Sequence, residues 1–182
     1  MIKYLVLISV VLFSQIKGEV IIHTETHKNG GIKLISYHKM VDGGMGISLL
    51  KEETYHFDGR KIFERNYENG EKHGKVINWG EDGKKGYEGK YKNGKEDGLW
   101  TGWYENGKKK WEETYKDGKY DGLIIKWYKN GKKKEEKNYK DGKRDGLFTH
   151  WYENGRKEYE GTYEDDELIS EKYWNEDGSV KE

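Results

Sequence analysis

The sequence predicts an all-β protein, an array of tandem antiparallel hairpins repeating every 24 residues. Three observations predict it. The stretch Tyr91 to Thr114 recurs almost unchanged as Tyr115 to Asn138 and Tyr139 to Thr162, with a looser copy over Tyr67 to Lys90. Each copy is broken twice by glycine-containing turn signals, leaving runs of about six to eight residues, the length of a strand and too short for a helix. Finally, Tyr, Trp and Gly return at matched places: Tyr67, Tyr91, Tyr115, Tyr139 and Tyr163; Trp79, Trp103, Trp127 and Trp151; Gly74, Gly98, Gly122 and Gly146. Self-similarity at a fixed period is the mark of a repeat architecture, in which each unit buries its apolar surface only against its neighbours.

Composition is consistent with this. Charged residues make up 37% of the 182, with neither Pro nor Cys, a balance that resembles disorder until the aromatics are counted. Between Tyr67 and Tyr163 there are eight Leu, Ile, Val or Phe residues against seventeen Trp or Tyr. Each large ring can bury roughly 150–250 Å², so the core is expected to be thin and aromatic. Lys and Arg number 34, as do Asp and Glu. That neutrality argues against a nucleic-acid partner, which requires a basic surface to neutralise phosphates.

At the N-terminus, Met1 to Gly18 carries an early lysine and an apolar run from Tyr4 to Phe13. The run is about half the length a membrane-spanning helix needs. It reads as a signal peptide, removed near Gly18, and directs the protein to the periplasm, cell envelope or exterior; an uncleaved anchor or a buried first strand is the alternative. No Cys is present for lipid attachment. Residues 19–66 carry degenerate repeats and the N-terminal cap, with turns at Asn29-Gly30, Asp42-Gly43 and Asp58-Gly59 and with Tyr55 in the place later taken by Trp. Residues 67–163 hold four in-register repeats. Asn106-Gly107, Asn130-Gly131 and Asn154-Gly155 are expected to form two-residue type I′ turns. The Asp-Gly pairs at the other end of each unit, in Lys-Asp-Gly-Lys and Asp-Gly-Leu, mark a second and longer turn. Along the strand after Gly98, Leu99, Thr101 and Trp103 make the more apolar face by alternation, so Trp103, Trp127 and Trp151 are expected in the core. Residues 164–182 lose the Asp-Gly turn and form a charged C-terminal cap that protects the last strand edge.

A hairpin with Tyr-x-x-Gly, then Gly-Leu, then Trp-Tyr-x-Asn-Gly resembles the MORN repeat family in its bacterial variant form, over roughly Tyr55 to Tyr163. The resemblance implies an elongated, twisted antiparallel sheet that serves as an interaction scaffold. For some bacterial members it also implies an antitoxin role against a cognate toxin. It carries no catalytic or ligand motif onto this chain.

Little in the chain supports catalysis. There is no thiol and no Gly-x-Ser-x-Gly elbow, and the six histidines show no repeated position or metal-ligand spacing. Glu88, Glu112, Glu136 and Glu160 do recur; they are expected to pair with lysines such as Lys110 and Lys134 across strands rather than bind cations. Glu112 and Glu136 as a glycan-hydrolysing pair would need two carboxylates in unlike environments. Lys108 to Lys110 and Lys132 to Lys134 could form a basic stripe, a membrane-surface alternative weakened by intervening acids. The reading is therefore a non-enzymatic, secreted scaffold with an unidentified protein partner and no cofactor. Glycan or lipid binding and the antitoxin role remain as alternatives. Because function should lie where the copies differ, Trp100, Trp111 and Tyr120 are the candidate partner-binding residues.

Overall fold

The computed structural model describes residues 20–41 and 46–181; the signal segment and the Asp42-Gly43 turn lie outside them. The described residues contain no helix. Fourteen strands form one open sheet: β1 (Val20–Thr26), β2 (Ile32–Val41), β3 (Gly46–Tyr55), β4 (Lys61–Glu68), β5 (Glu71–Trp79), β6 (Lys85–Lys92), β7 (Lys95–Glu96), β8 (Gly98–Trp103), β9 (Lys109–Lys116), β10 (Lys119–Trp127), β11 (Lys133–Lys140), β12 (Lys143–Trp151), β13 (Lys157–Glu164) and β14 (Glu167–Tyr173). Every pairing is antiparallel, and strands follow one another across the sheet in chain order, apart from the two-residue β7, which pairs with β6 to one side of that path.

The two turns of each repeat are the reverse of the sequence expectation. At Asp117-Gly118 both central residues are left-handed, with φ of 50° and 81°, and Lys116 pairs directly with Lys119. This is the two-residue turn with positive φ at both centres that type I′ requires. At Asn106-Gly107 only the glycine is left-handed, at φ 81°. Gly107 N–H donates to the Tyr104 carbonyl (2.8 Å) and Tyr104 N–H to the Lys108 carbonyl (2.9 Å), which is a type I turn followed by a glycine bulge. Asn106 is selected there for its side chain. Its Oδ1 accepts from Lys108 N–H at 3.0 Å and its Nδ2 donates to the Lys129 carbonyl of the next repeat at 3.0 Å. The same link joins Asn130 to Glu153 and Asn154 to Glu176.

Asp-Gly-Leu makes no turn. Between Tyr120, opposite Tyr115, and Ile124, opposite Glu113, the β10 strand carries extra residues not matched on β9. Gly122, at φ 120°, sits in that bulge. Bulges reset which residues face which side, and here the consequence is a core on the face opposite to the expected one. Val76, Trp100, Ile124 and Phe148 are buried, at 1%, 7%, 3% and 4% exposure, whereas Leu99 is 56% exposed. Leu99 stands opposite Thr114 and Leu123 opposite Asn138, partners too small or polar to cover them. Trp103, Trp127 and Trp151 are half-buried rather than core.

The C-terminal segment keeps the hairpin pattern that it was expected to lose. Asp165 and Asp166 both adopt positive φ (48° and 75°) and replace the Asp-Gly pair of the tight turn. β14 then pairs with β13 from Glu167 to Tyr173. Tyr152 OH donates to the Trp174 carbonyl at 2.8 Å, as Tyr104 does to Trp127 (2.6 Å) and Tyr128 to Trp151 (2.7 Å).

Candidate interaction surface

A single sheet has two faces, and these differ in chemistry. One carries a continuous ladder of rings. Trp100 meets Tyr91 edge-on at 5.0 Å between centroids and Tyr115 at 6.1 Å. Tyr115, Tyr120, Tyr139, Phe148 and Tyr163 then follow at 4.7–5.3 Å. Offset and tilted ring pairs at such distances contribute roughly 0.5–1.5 kcal/mol each beyond the area they bury. This ladder is the core.

All three candidate partner-binding residues belong to the ladder face. Trp100 is buried and its Nε1 donates to the Lys90 carbonyl at 3.2 Å, so the expectation of an exposed ring is corrected. The reason lies across the strand pair: a Cβ on Gly89 would fall 2.1 Å from the Trp100 ring, so the indole lies flat on the glycine. Trp111, half-buried, lies on Gly102 in the same way, 2.2 Å from the would-be Cβ. Tyr120, also half-buried, is held between Tyr115 (4.8 Å) and Tyr139 (5.3 Å). Variation at the two tryptophans is thus compensated packing, with Gly89 under Trp100 and Gly102 under Trp111, whereas Tyr120 packs between tyrosines.

The other face is built of three parallel bands. Nearest the tight turns is the row of exposed leucines, Leu99, Leu123 and Leu147, at 56%, 37% and 45% exposure. Next comes a row in which buried Ile77, Thr101 and Thr149 stand opposite Glu88, Glu112 and Glu160. Nearest the wide turns are the tryptophans, each capped by a lysine from the preceding repeat: Lys85 over Trp103, Lys109 over Trp127, Lys133 over Trp151 and Lys157 over Trp174, at 5.7–5.9 Å from the ring centres. The same lysines bind the glutamates three residues on, Lys109 to Glu112 and Lys133 to Glu136. Pairing therefore runs mainly along the strand, with Lys75 also reaching Glu88 from the neighbouring strand at 3.3 Å, and not through Lys110 and Lys134 as expected. The bulge at Trp103 pairs Lys109 with that residue and carries its side chain to this face.

This face also holds one strong polar node. Glu53 is 5% exposed and its carboxylate receives Lys51 at 2.8 Å, Lys61, Tyr37 OH at 3.0 Å and Tyr55 OH at 2.9 Å. Burial works against ionisation, but hydrogen bonds from Lys51, Lys61, Tyr55 and Tyr37 outweigh it and hold the carboxyl at about 2. Burial and the Glu53 hydrogen bond push the Tyr55 phenol up to about 12. Every oxygen of the node is occupied, which makes it a brace between β2, β3 and β4. Sequence reasoning missed it because Glu53 has no counterpart in the regular copies.

The geometry defines a tandem hairpin repeat protein, and in it Glu112 and Glu136 occupy equivalent, lysine-bound positions rather than the unlike environments a hydrolytic pair needs. Residues 96–117, 120–141 and 144–165 match the MORN repeat variant family. Each match begins and ends at a tight turn and centres on the wide Asn-Gly turn, so the family's unit is the hairpin closed by Asn106, Asn130 or Asn154. The three consecutive repeats over 96–165 are thus of the MORN type, and repeats of this type generally act as protein- or membrane-interaction modules and are non-catalytic. A comparison with curated proteins finds no match.

Proposed function

We propose that the protein is a non-enzymatic scaffold that presents the leucine and tryptophan face to a protein partner. The observation that carries this reading is the row Leu99, Leu123 and Leu147, large apolar side chains left 37–56% exposed at the same position of consecutive repeats. Isolated exposed leucines need no explanation, but a regular row on one face is a docking feature. Neighbouring strands lie about 4.8 Å apart, so the leucines recur about every 9.5 Å. Completing the burial of three such half-buried side chains would contribute roughly 1 kcal/mol each before the costs of association are subtracted. Export through Met1 to Gly18 is part of the proposal and rests on the sequence of that segment alone.

The test is capture of partners from the native extracellular or envelope fraction by the wild-type chain and by a variant with Leu99, Leu123 and Leu147 replaced by Ser. Selective loss of a partner with the variant supports the reading. Identical recovery by both would remove the leucine row from the interface. Sequencing the N-terminus of the mature protein tests export: a start near Glu19 is expected, and an intact Met1 in the cytosol would overturn it.

A further inference from the structure

The wide turns between Trp103 and Lys134 form the most strongly charged edge of the central repeats. Residues 104–110 and 128–134 together carry seven lysines and a single acid, Glu105. Two of the lysines, Lys109 and Lys133, are neutralised by Glu112 and Glu136. The other five, Lys108, Lys110, Lys129, Lys132 and Lys134, form no ion pair within 4.0 Å with any carboxylate among the described residues, and all five are exposed. Lys108 and Lys132 are fixed, their ammonium groups donating to the carbonyls of Asn130 and Asn154 at 2.6 Å. Lys110 and Lys134 lie over the rings of Tyr104 and Tyr128, both at 5.7 Å. Between the turns are two recesses. One, of about 380 Å³, is lined by Trp103, Tyr104, Glu105, Asn106, Lys110 and Lys129. The other, of about 540 Å³, is lined by Lys108, Lys109, Trp127, Asn130 and Gly131.

We propose that this edge is the binding site for an extended acidic segment of the protein partner, lying across the turns with its carboxylates on the unpaired lysines and its other side chains in the aromatic recesses. This rests on the reading that the partner is a protein and names its chemistry. The spacing of the charges selects an extended chain over a compact anion. The lysines do not converge on one point; they repeat with the hairpins, about every 9.5 Å. An extended peptide advances about 3.3 Å per residue, so acids at every third residue meet the same lysine position in successive repeats. Neighbouring turns do not extend the site. In 80–86 Glu81 and Asp82 balance Lys84 and Lys85, and in 152–158 Glu153 and Glu158 balance Arg156 and Lys157. The site therefore spans two turns.

The test uses the full chain and a fluorescent peptide of Gly and Ser with Glu at every third position, with a Gln-substituted peptide as control, followed by anisotropy at low and physiological salt. Binding of the Glu peptide alone, weakening as salt rises, is expected. A variant carrying Lys110→Gln, Lys129→Gln and Lys134→Gln spares the two lysines that hold turn carbonyls. It should bind about tenfold more weakly, about 1.4 kcal/mol, while remaining folded, its melting curve lowered by no more than the two Lys–Tyr ring contacts it gives up. Equal binding of Glu and Gln peptides, undiminished binding by the variant, or tighter binding to anionic vesicles or single-stranded DNA than to the Glu peptide would each overturn the proposal. If the acidic peptide fails while the leucine variant still loses its partner, the scaffold reading stands and this site alone falls.

Discussion

The indole of Trp100 rests directly on the backbone of Gly89, so close that a β-carbon on the glycine would lie 2.1 Å from the ring. The pair forms the seam between β6 and β8, and neither residue is intelligible alone. Gly89→Ala should therefore destabilise the fold by about 1–3 kcal/mol through overpacking, although alanine is normally harmless in an extended strand. Trp100→Ala should cost about 3–5 kcal/mol through cavity formation. In urea titrations the double variant should be less destabilised than the sum of the two, since removal of the ring frees the space that the methyl needs. Additive losses would mean that the contact is not the source of either effect.

Glu53, the most buried of the carboxyls held below their ordinary range, contributes to the acid limb of stability. Its carboxyl is held at about 2 in the folded chain, below its ordinary value of 4.5. The folded state is thus favoured while the group is ionised; the contribution is complete above about pH 4.5 and is lost as pH falls through about 2. The size of the effect is on the order of 3 kcal/mol. Urea midpoints measured from pH 7 down to pH 2 should fall steeply for the wild type. Glu53→Gln should be destabilised at pH 7, where it leaves Lys51 and Lys61 without their buried partner, and should show a shallower acid limb.

The two turns predict opposite tolerances. Asn93 and Asp117 both hold φ at 50° in tight turns, and Asp117→Asn should change thermal stability by less than about 0.5 kcal/mol. Asn106→Asp keeps the acceptor for Lys108 N–H but loses the donor to the Lys129 carbonyl. A loss of about 0.5–1.5 kcal/mol is expected, read as a lower melting temperature.

Leu99→Ser, Leu123→Ser and Leu147→Ser should leave stability almost unchanged, within about 0.5 kcal/mol each, as expected of exposed positions. Circular dichroism melts check this. A large loss from all three would assign the row to folding and withdraw it as a docking feature.

Much of the architecture was legible in the sequence: the all-strand content, the 24-residue period and most of the places where the chain turns, though not the bulge at Asp-Gly-Leu or the turn at Asp165-Asp166. What was not legible depends on pairs of strands rather than on single copies. Alternation made Leu99 and Trp103 as good a core as Trp100, because both faces carry apolar residues. The deciding signal at the two variable tryptophans is the glycine beneath the ring, Gly89 for Trp100 and Gly102 for Trp111, and it emerges only once strands are paired. The turn types were exchanged because Asn-Gly suits a type I′ turn and a glycine-bulged type I turn equally well. The asparagine at 106 is instead dictated by a carbonyl 23 residues away. Lys109 and Lys110 look equivalent in a run of three, and only the bulge opposite them sends one to Glu112 and leaves the other at the rim.

The asparagine and tyrosine links of the wide turns reach one repeat ahead and no further. Each hairpin consequently carries its own half of every joint, and a unit inserted by duplication within the regular copies would arrive with its fastenings already matched. The length of such a sheet is then a count, altered in steps of about 9.5 Å without redesign of any core. A partner that spans several hairpins would read that count directly, so the register between the two proteins could change in evolution by whole repeats while every individual residue stayed the same.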